Sequence, residues 1–377
     1  MNRPRILVVD DDASQRRAVE RVLEAMYEVV SVPGAHEAMV RVRDGAFDLA
    51  LVDLRMPGMD GLELLSHLKS AEPGLDVILM TGSASDGDAR LIRAVRGGAF
   101  YFVQKPFHRD VLLSLVQRCM EIRRLQRAER AHAERLAMEL EAARRFQDRM
   151  LPPTTAEYPG LELAICYEPS LELCGDFFEH ERIEGGVALL LVDVAGKGVA
   201  AAMLTGMVKQ AFRSSAGKDF APAIVLQRAF AGSKVFPGSR HLTACAARVR
   251  FDANQLELLG TAGHPPAFHV SSGGDVTQLP PTAGPLHPAY ESWMFEPRTL
   301  HFRPGDFFVA FTDGLMESRR AEEDEIFGIE RVEETLRTAP QSSAASVCQA
   351  VRQALKEFQR GRPPEDDLTI LVARRTL

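Results

Sequence analysis

In the first 120 residues, four short apolar runs end on groups able to do phosphate chemistry. Ile6 to Val9 ends on Asp10, Asp11 and Asp12, Leu49 to Val52 on Asp53, Val77 to Met80 on Thr81, and Tyr101 to Gln104 on Lys105. A solvated acid at one strand end is ordinary, but four loaded ends in order are not accounted for that way. Carboxylates gathered round one point suit a hard divalent ion such as Mg²⁺, which takes few carboxylates and keeps several waters. Such an ion offsets phosphoryl charge while one carboxylate attacks phosphorus, and a lysine holds the product oxygens as a fixed cation.

Beyond residue 152 a second acidic set appears. Asp176 stands in CGDFFE before an apolar run, Asp193 after LLLV, Asp313 after FFVAFT, and Asp366 with Asp367 before LTILVA. Aspartates at the ends of buried strands are costly unless a cation or hydrogen bonds satisfy them. Brought together, they would hold two oxygen-ligated metals, the arrangement for in-line attack of water on a phosphate ester without a covalent enzyme intermediate. Each signal alone is weak, since CGDFFE is also a plausible turn. It departs from the GGDEF of diguanylate cyclases, because Phe177 and Phe178 follow its Asp. AGKG is not a phosphate-cradling loop, since Leu191 stands five before Gly196 and Gly198 replaces the Ser or Thr after Lys197. His264 in TAGHPP and His287 in PLHP read as turn residues.

Two kinds of scaffold must position these groups. The first 120 residues alternate short apolar strands (6–9, 29–32, 49–52, 77–80 and 101–104) with helical patterns, implying a parallel sheet with helices on both faces. In such sheets ligands bind beyond the carboxyl ends of the strands, where Asp10, Asp53, Thr81 and Lys105 stand. Residues 152–377 read as strands at 161–168, 177–183, 187–192, 242–251, 266–271, 307–312 and 368–373. Helices are expected at 199–214, 221–234, 329–338 and 343–359, so the pattern suggests two antiparallel sheets covered by helices.

Between the two, residues 107–151 contain neither Gly nor Pro, with Pro106 and Pro152 on either side. They predict one helix, roughly 65 Å long at 1.5 Å per residue. Leu115, Cys119, Ile122, Leu136, Leu140, Ala143 and Met150 recur at coiled-coil spacing, interrupted at Gln126 and Glu129, and imply a homodimer through this linker. Glu121, Glu134 and Glu141 stand three or four residues from arginines, as ion pairs on a helix surface require. The expected division is 1–120, 121–151 and 152–377.

Composition limits the partners. The 377 residues are 46% hydrophobic and 26% charged with a net charge of −7, which fits soluble domains and disfavours nucleic acid. The strongest apolar run, Val187 to Val192, is far too short to span a membrane. Cys119, Cys166, Cys174, Cys245 and Cys348 show no metal-ligand spacing and read as reduced thiols, so a cytoplasmic protein is expected.

Taken as ordered sets, the motifs resemble two families. ILVVDDD, LVDLRMPGMDG, ILMTGS and FVQKPF resemble the receiver domain of two-component response regulators. That resemblance implies a doubly wound five-stranded α/β sheet of order 2-1-3-4-5, with Asp53 as phosphoacceptor. Asp10, Asp11 and the Arg55 carbonyl would hold Mg²⁺, Thr81 and Phe102 would be the switch residues, and Lys105 would contact phosphate. It also implies a cis Lys105-Pro106 bond and a sensor histidine kinase or phosphotransfer protein as donor. CGDFFE, VDVAGKGVAAAMLT, TAGHPPA, FTDGLMES and EDDLTILVAR resemble metal-dependent serine/threonine phosphatases of the protein phosphatase 2C superfamily. The bacterial branch typified by the stage II sporulation and stress-sigma regulator phosphatases is the nearest, and FQDRMLPP resembles its lead-in segment. This implies an α+β domain, an αββα sandwich, with two Mn²⁺ or Mg²⁺ on Asp176, Asp193, the Val194 carbonyl, Asp313 and Asp366. Asp367 would be supporting, and Cys174 stands where the family usually has Gly. The resemblance further implies a phosphorylated anti-sigma-factor antagonist as substrate. Because a linker helix can transmit order, phosphorylation at Asp53 is expected to raise activity, although the same residues are compatible with inhibition. A phosphatase-like adaptor without catalysis is the alternative, less favoured because the aspartates are retained.

Overall fold

The computed structural model describes residues 3–82, 97–215, 220–234, 241–260, 264–291, 297–320 and 325–376. It divides into two units, Met1–Arg135 and Leu136–Leu377.

The first unit runs β1 (Arg5–Val9), α1 (Ala13–Leu23), β2 (Glu28–Val32), α2 (Ala35–Asp44), β3 (Leu49–Asp53), α3 (Gly61–Ala71), β4 (Asp76–Thr81) and β5 (Tyr101–Gln104), then enters α4 (Arg109–Met150). The strands form one parallel sheet in the order β2-β1-β3-β4-β5, as expected. The helix expected between β4 and β5 falls on 83–96, outside the described residues. The central strands are apolar throughout because both their faces are covered. Leu7, Val9, Ala50, Val52, Val77 and Leu79 cluster with Leu64, Leu65 and Leu68 of α3. Ile6, Val8, Leu49, Leu51, Ile78 and Met80 face the other way, toward Val19 and Leu23 of α1 and Leu112, Val116 and Cys119 of α4.

Cys119 is therefore a residue of this core, fully buried, and not part of an outward seam. Its place at the coiled-coil spacing follows from the same 3.6-residue period that turns Leu112 and Val116 inward. Further along, residues 124–139 are all exposed, and the expected pairs form at Arg118–Glu121 (3.1 Å), Arg130–Glu134 (3.1 Å) and Arg145–Glu141 (3.3 Å). Exposed pairs of this kind contribute only a few tenths of a kcal/mol each.

The second unit contains two antiparallel sheets. One is ordered β14 (Arg298–His301), β11 (Gln255–Gly260), β10 (Leu242–Arg250), β9 (Gly186–Val194) and β8 (Phe177–Ile183). The other is ordered β13 (Val276–Leu279), β12 (Ala267–Val270), β15 (Phe307–Phe311), β16 (Leu368–Arg375), β7 (Leu161–Glu168) and β6 (Thr155–Tyr158). Alternation along β9 shows how the layers stack. Val187, Leu189 and Leu191 point between the sheets to meet Phe308, Leu371 and Ala373. Ala188, Leu190 and Val192 point outward, under α5 (Val199–Arg213) and α6 (Pro222–Ser233), where they meet Leu204, Val208 and Leu226. On the far side, Phe307, Val309, Ile370 and Val372 pack beneath α8 (Gly328–Thr338) and α9 (Ala344–Gln359), after the single-turn α7 (Asp313–Met316). The result is an αββα sandwich. Each buried Leu, Val or Phe of its layers contributes about 1.5–3 kcal/mol by leaving water.

All five cysteines are free thiols, four of them buried. Among the described residues no helix is long and apolar enough to cross a membrane.

Candidate active site

Strand ends in the first unit deliver their polar groups to one point. Asp10 ends β1 and is 1% exposed, while Asp53 ends β3 and is 7% exposed. One carboxylate oxygen from each of Asp10, Asp11 and Asp53 lies within 4.8 Å of the other two. Lys105, just beyond β5, sets its ammonium 2.6 Å from Asp10 Oδ2 and 3.0 Å from Asp53 Oδ1. The backbone places it there, since the Lys105 N–H donates to the Thr81 carbonyl at 2.6 Å. The Lys105-Pro106 peptide is cis, as expected. Asp53 is held above the usual carboxylate range chiefly by burial, with Lys105 opposing and Asp10 and Asp11 adding to the rise. An all-oxygen cluster carrying more negative charge than one lysine offsets fits a small hard cation. Asp12 serves the helix instead, because its carboxylate accepts from the Ser14 and Gln15 N–H groups and caps α1. Arg55 is exposed on the loop after β3. On β5, Tyr101 and Phe102 are 50% and 39% exposed and stack with ring centroids 5.7 Å apart.

In the second unit the pairing of β8, β9 and β10 sets the first acids. Phe177 pairs with Val192 and Thr243 with Asp193, so Asp176 and Asp193 come to the same end of the sheet. A Cβ on Gly175 would lie 2.9 Å from the Val194 carbonyl, a closeness only Gly permits. Asp176 is 2% exposed and accepts hydrogen bonds on Oδ2 from Thr312 (2.7 Å) and Thr369 (2.6 Å). Those hydroxyls belong to the other sheet's β15 and β16 side, so one carboxylate joins both sheets and leaves Oδ1 outside the pair of bonds.

Asp313 opens α7 beside the turn that carries Asp366 and Asp367. Gly314 permits this, for a Cβ there would meet the Asp367 carbonyl at 1.9 Å. Gly314→Ala is accordingly expected to displace the turn, costing about 2–4 kcal/mol in urea unfolding. Misplacing an acid by about 1 Å should also lower turnover about 100-fold.

Charge in this site is badly balanced. Asp193 is pushed up to about 7, first by burial and then by Asp313 and Asp366. Asp313 is pushed up to about 6 by burial, then by Glu317 and Asp366. Asp176 is raised well above the usual range by burial and by Asp193. Lys197 pairs with Asp366 at 3.0 Å and also donates to the Glu365 carbonyl. Asp367 stands apart. Its carboxylate accepts from the Ser170 N–H (2.7 Å), the Ser170 hydroxyl (2.9 Å) and the Gly175 N–H (2.8 Å), which makes it a loop fastener. Among the described residues the only acids grouped within 4.8 Å are the three of the first unit. The second unit's donor set, all oxygen and mutually repelling, fits hard divalent ions.

Sequence reasoning did not single out Thr312, Thr369, Glu317, Lys197 or Ser170. Two kinds of signal were there to be read, because a buried carboxylate demands a hydroxyl or N–H partner and Glu317 lies one helical turn after Asp313. His264, expected in a turn, is 3% exposed with Nδ1 3.1 Å from the Thr243 hydroxyl, and burial holds it down to about 3. Thr261 to Gly263 of its motif lie outside the described residues.

Fold and sites together define a receiver domain joined to a domain with the fold of protein phosphatase 2C domains. Residues 6–117 match the response regulator receiver domain, and residues 183–376, half the chain, match stage II sporulation protein E (SpoIIE). The chain belongs to the stage II sporulation protein E family. Among solved structures, the SiaA-PP2C domain of Pseudomonas aeruginosa is similar at 23% identity and a TM-score of 0.57, covering 65% of this chain and 98% of that one. The RsbU and RsbW domains of Rv1364c from Mycobacterium tuberculosis are similar at 25% identity and a TM-score of 0.52, covering 59% and 62%. The C4-dicarboxylate transport transcriptional regulatory protein DctD of Pseudomonas aeruginosa is 39% identical over 122 residues, 32% of this chain and 26% of that protein. The chain thus spans about a quarter of the length of the curated relatives it matches.

Proposed function

We propose that this chain is a metal-dependent phosphoserine/phosphothreonine protein phosphatase whose turnover is raised by phosphorylation at Asp53. The observation that carries this reading is the arrival of Asp176 and Asp193 at one sheet end, with Asp313 beside the Asp366 turn, where burial first and then Asp313 and Asp366 lift Asp193 to about 7. Acids that repel one another in a partly desolvated site call for cations. Two Mn²⁺ or Mg²⁺ held by Asp176, Asp193, the Val194 carbonyl, Asp313 and Asp366 would polarise the phosphate ester and ready a water for attack. The chain's own part is placement. Thr312 and Thr369 fix Asp176, Gly314 lets Asp313 approach Asp366, and Lys197 restrains Asp366 from the solvent side. Asp367 keeps the turn in shape and ligates nothing in this scheme.

In the receiver, Asp53 accepts the phosphoryl group while Asp10, Asp11 and the Arg55 carbonyl hold Mg²⁺. Thr81 and Phe102 respond, and Lys105 grips the product. The donor is a sensor histidine kinase or a phosphotransfer protein. Resemblance to the stress-sigma regulator phosphatases supports a phosphorylated anti-sigma-factor antagonist as substrate, in the cytoplasm. The exposed stretch 124–139 of α4 supports a homodimer through that helix.

Turnover of p-nitrophenyl phosphate with Mn²⁺ tests the enzyme. Asp313→Ala should lower it more than about 100-fold while the chain stays folded by circular dichroism. Unchanged turnover in that variant would dismiss the two-metal assignment, and an inactive wild type that still binds a phosphoprotein would favour an adaptor.

A further inference from the structure

The segment Phe146 to Pro153 joins α4 to the phosphatase sandwich, and one side chain in it behaves unlike its neighbours. Gln147 is 4% exposed, whereas Phe146 is 67% exposed and Asp148 and Arg149 also face solvent. Its carboxamide makes two hydrogen bonds to a single residue. Nε2 donates to the Cys174 carbonyl at 2.7 Å, and Oε1 accepts the Cys174 N–H at 3.1 Å. An amide bonded this way pairs with a backbone as a neighbouring strand would, and so takes no account of the side chain at 174.

What Cys174 leads to matters more. Next in the chain, Gly175 donates to Asp367 Oδ2 at 2.8 Å and accepts the Val194 N–H at 3.3 Å. Asp176 follows. The loop is therefore suspended from three points: Gln147 on the helix, Asp367 on the β16 turn, and Val194 at the end of β9. A second tie fixes the helix end itself, since Lys209 of α5 donates to the carbonyl of Met150, the last residue of α4, at 2.5 Å. Lys209 also pairs with the fully buried Glu179.

We propose that Gln147 is a positioning residue for the phosphatase metal site: its carboxamide holds the Cys174–Asp176 loop so that the Asp176 carboxylate and the Val194 carbonyl take the spacing a divalent ion requires. This rests on the phosphatase reading above. Gln147 touches neither substrate nor metal and acts through the backbone of Cys174. Residues that orient ligands in this way typically change metal affinity by about 10- to 100-fold when removed.

The test uses full-length Gln147→Leu and Gln147→Glu, with exposed Phe146→Ala as control. Mn²⁺ affinity is measured by calorimetry, unfolding by heat, and p-nitrophenyl phosphate turnover across Mn²⁺ concentrations. Gln147→Leu, losing both bonds at similar volume, should bind Mn²⁺ about 10- to 100-fold more weakly. Its kcat should recover at saturating Mn²⁺ with KM unchanged. Gln147→Glu, which sets a carboxylate oxygen against the Cys174 carbonyl, should show the same shift, and it carries the test if the Leu variant does not fold. Phe146→Ala should match wild type. A fall in unfolding temperature with Mn²⁺ affinity unchanged would reduce Gln147 to a structural bond and overturn the proposal. A wild type that binds Mn²⁺ without hydrolysing phosphate, with the affinity shift still present in Gln147→Leu, would retain the positioning role and remove the phosphatase reading.

Discussion

Asp193→Asn is expected to raise the metal-free unfolding temperature while abolishing turnover. Asp193 is pushed up to about 7 in the folded chain, first by burial and then by Asp313 and Asp366. An acid whose folded pKa lies above its unfolded value, near 3.8, holds its proton more tightly when folded. Below about pH 4 both states are protonated and nothing is lost. Between about 4 and 7 the folded state still binds a proton the unfolded state has released, so stability falls as pH rises, and above 7 the whole penalty is present. Asp313, pushed up to about 6, adds to the slope over the lower part of that window. The penalty is on the order of a few kcal/mol, and for a domain of this size each kcal/mol moves the midpoint by about 2–4 °C. Asn keeps the shape and removes the charge, so at pH 8 with EDTA the variant should melt roughly 5–10 °C above wild type. Adding Mn²⁺ should stabilise wild type strongly and the variant little, because a ligand stabilises only the state that binds it. Thermal melts at pH 5 and pH 8, each with EDTA or Mn²⁺, give all four numbers. A wild-type midpoint that does not change between those pH values without metal would mean these carboxylates are not crowded, and the case for cations there would lapse.

An acid expected to weaken the fold where it stands is legible in the sequence. Asp193 interrupts a strand, GVALLLVDV, whose other side chains are apolar and buried, and such a run needs no acid for its own stability. Asp53 at the end of LALVD is legible for the same reason. The central strands β1, β3, β4, β9, β10, β15 and β16 were recognisable because both their faces are covered, which writes the burial into a continuous apolar run. The edge strands β2, β5 and β8 were recognisable too, but four other strands were not. β6, β13 and β14 are edge strands of four residues whose side chains are half exposed or polar, and β11 is QLELLG between turns. Nothing in their composition separates them from loops; their neighbours across the sheet define them. The supporting residues were hidden differently. Thr312, Thr369, Ser170 and Gln147 matter through one hydrogen bond or two to partners at least 27 positions away, and sequence spacing carries no trace of such pairs. Cys119 shows the converse error: a 3.5-residue period cannot by itself say whether a face meets its own domain or a second chain, and here it meets its own.

With a small phosphoryl donor such as acetyl phosphate and Mg²⁺, wild-type protein should take up one phosphoryl group, and Asp53→Asn none. The geometry makes this close to all or none. Asp53 Oδ1 lies 3.0 Å from the Lys105 ammonium, one Asp53 oxygen stands within 4.8 Å of an oxygen of Asp10 and of Asp11, and Asp53 is the one carboxylate of β3. Phosphorylation replaces one charge at Asp53 by nearly two on three acceptor oxygens. Lys105 already serves Asp10 at 2.6 Å, so it can follow the phosphoryl oxygens only if Asp10 is otherwise neutralised, which is the role left for Mg²⁺. EDTA should therefore stop uptake in wild type, and Lys105→Ala should weaken it while leaving three acids uncompensated. The added charge also gives β4 and β5 something to answer. Thr81 pairs with Gln104 across those strands, and Tyr101 and Phe102 lie stacked and part exposed on β5. Coupling free energies between sites are typically about 1–3 kcal/mol, so phosphatase turnover should rise about 5- to 150-fold on phosphorylation or with beryllofluoride. Asp53→Asn should be deaf to both. Uptake that persists in Asp53→Asn would move the phosphoacceptor elsewhere. Turnover that falls on phosphorylation in wild type, with Asp53→Asn unresponsive, would keep the site and reverse the sign of the switch.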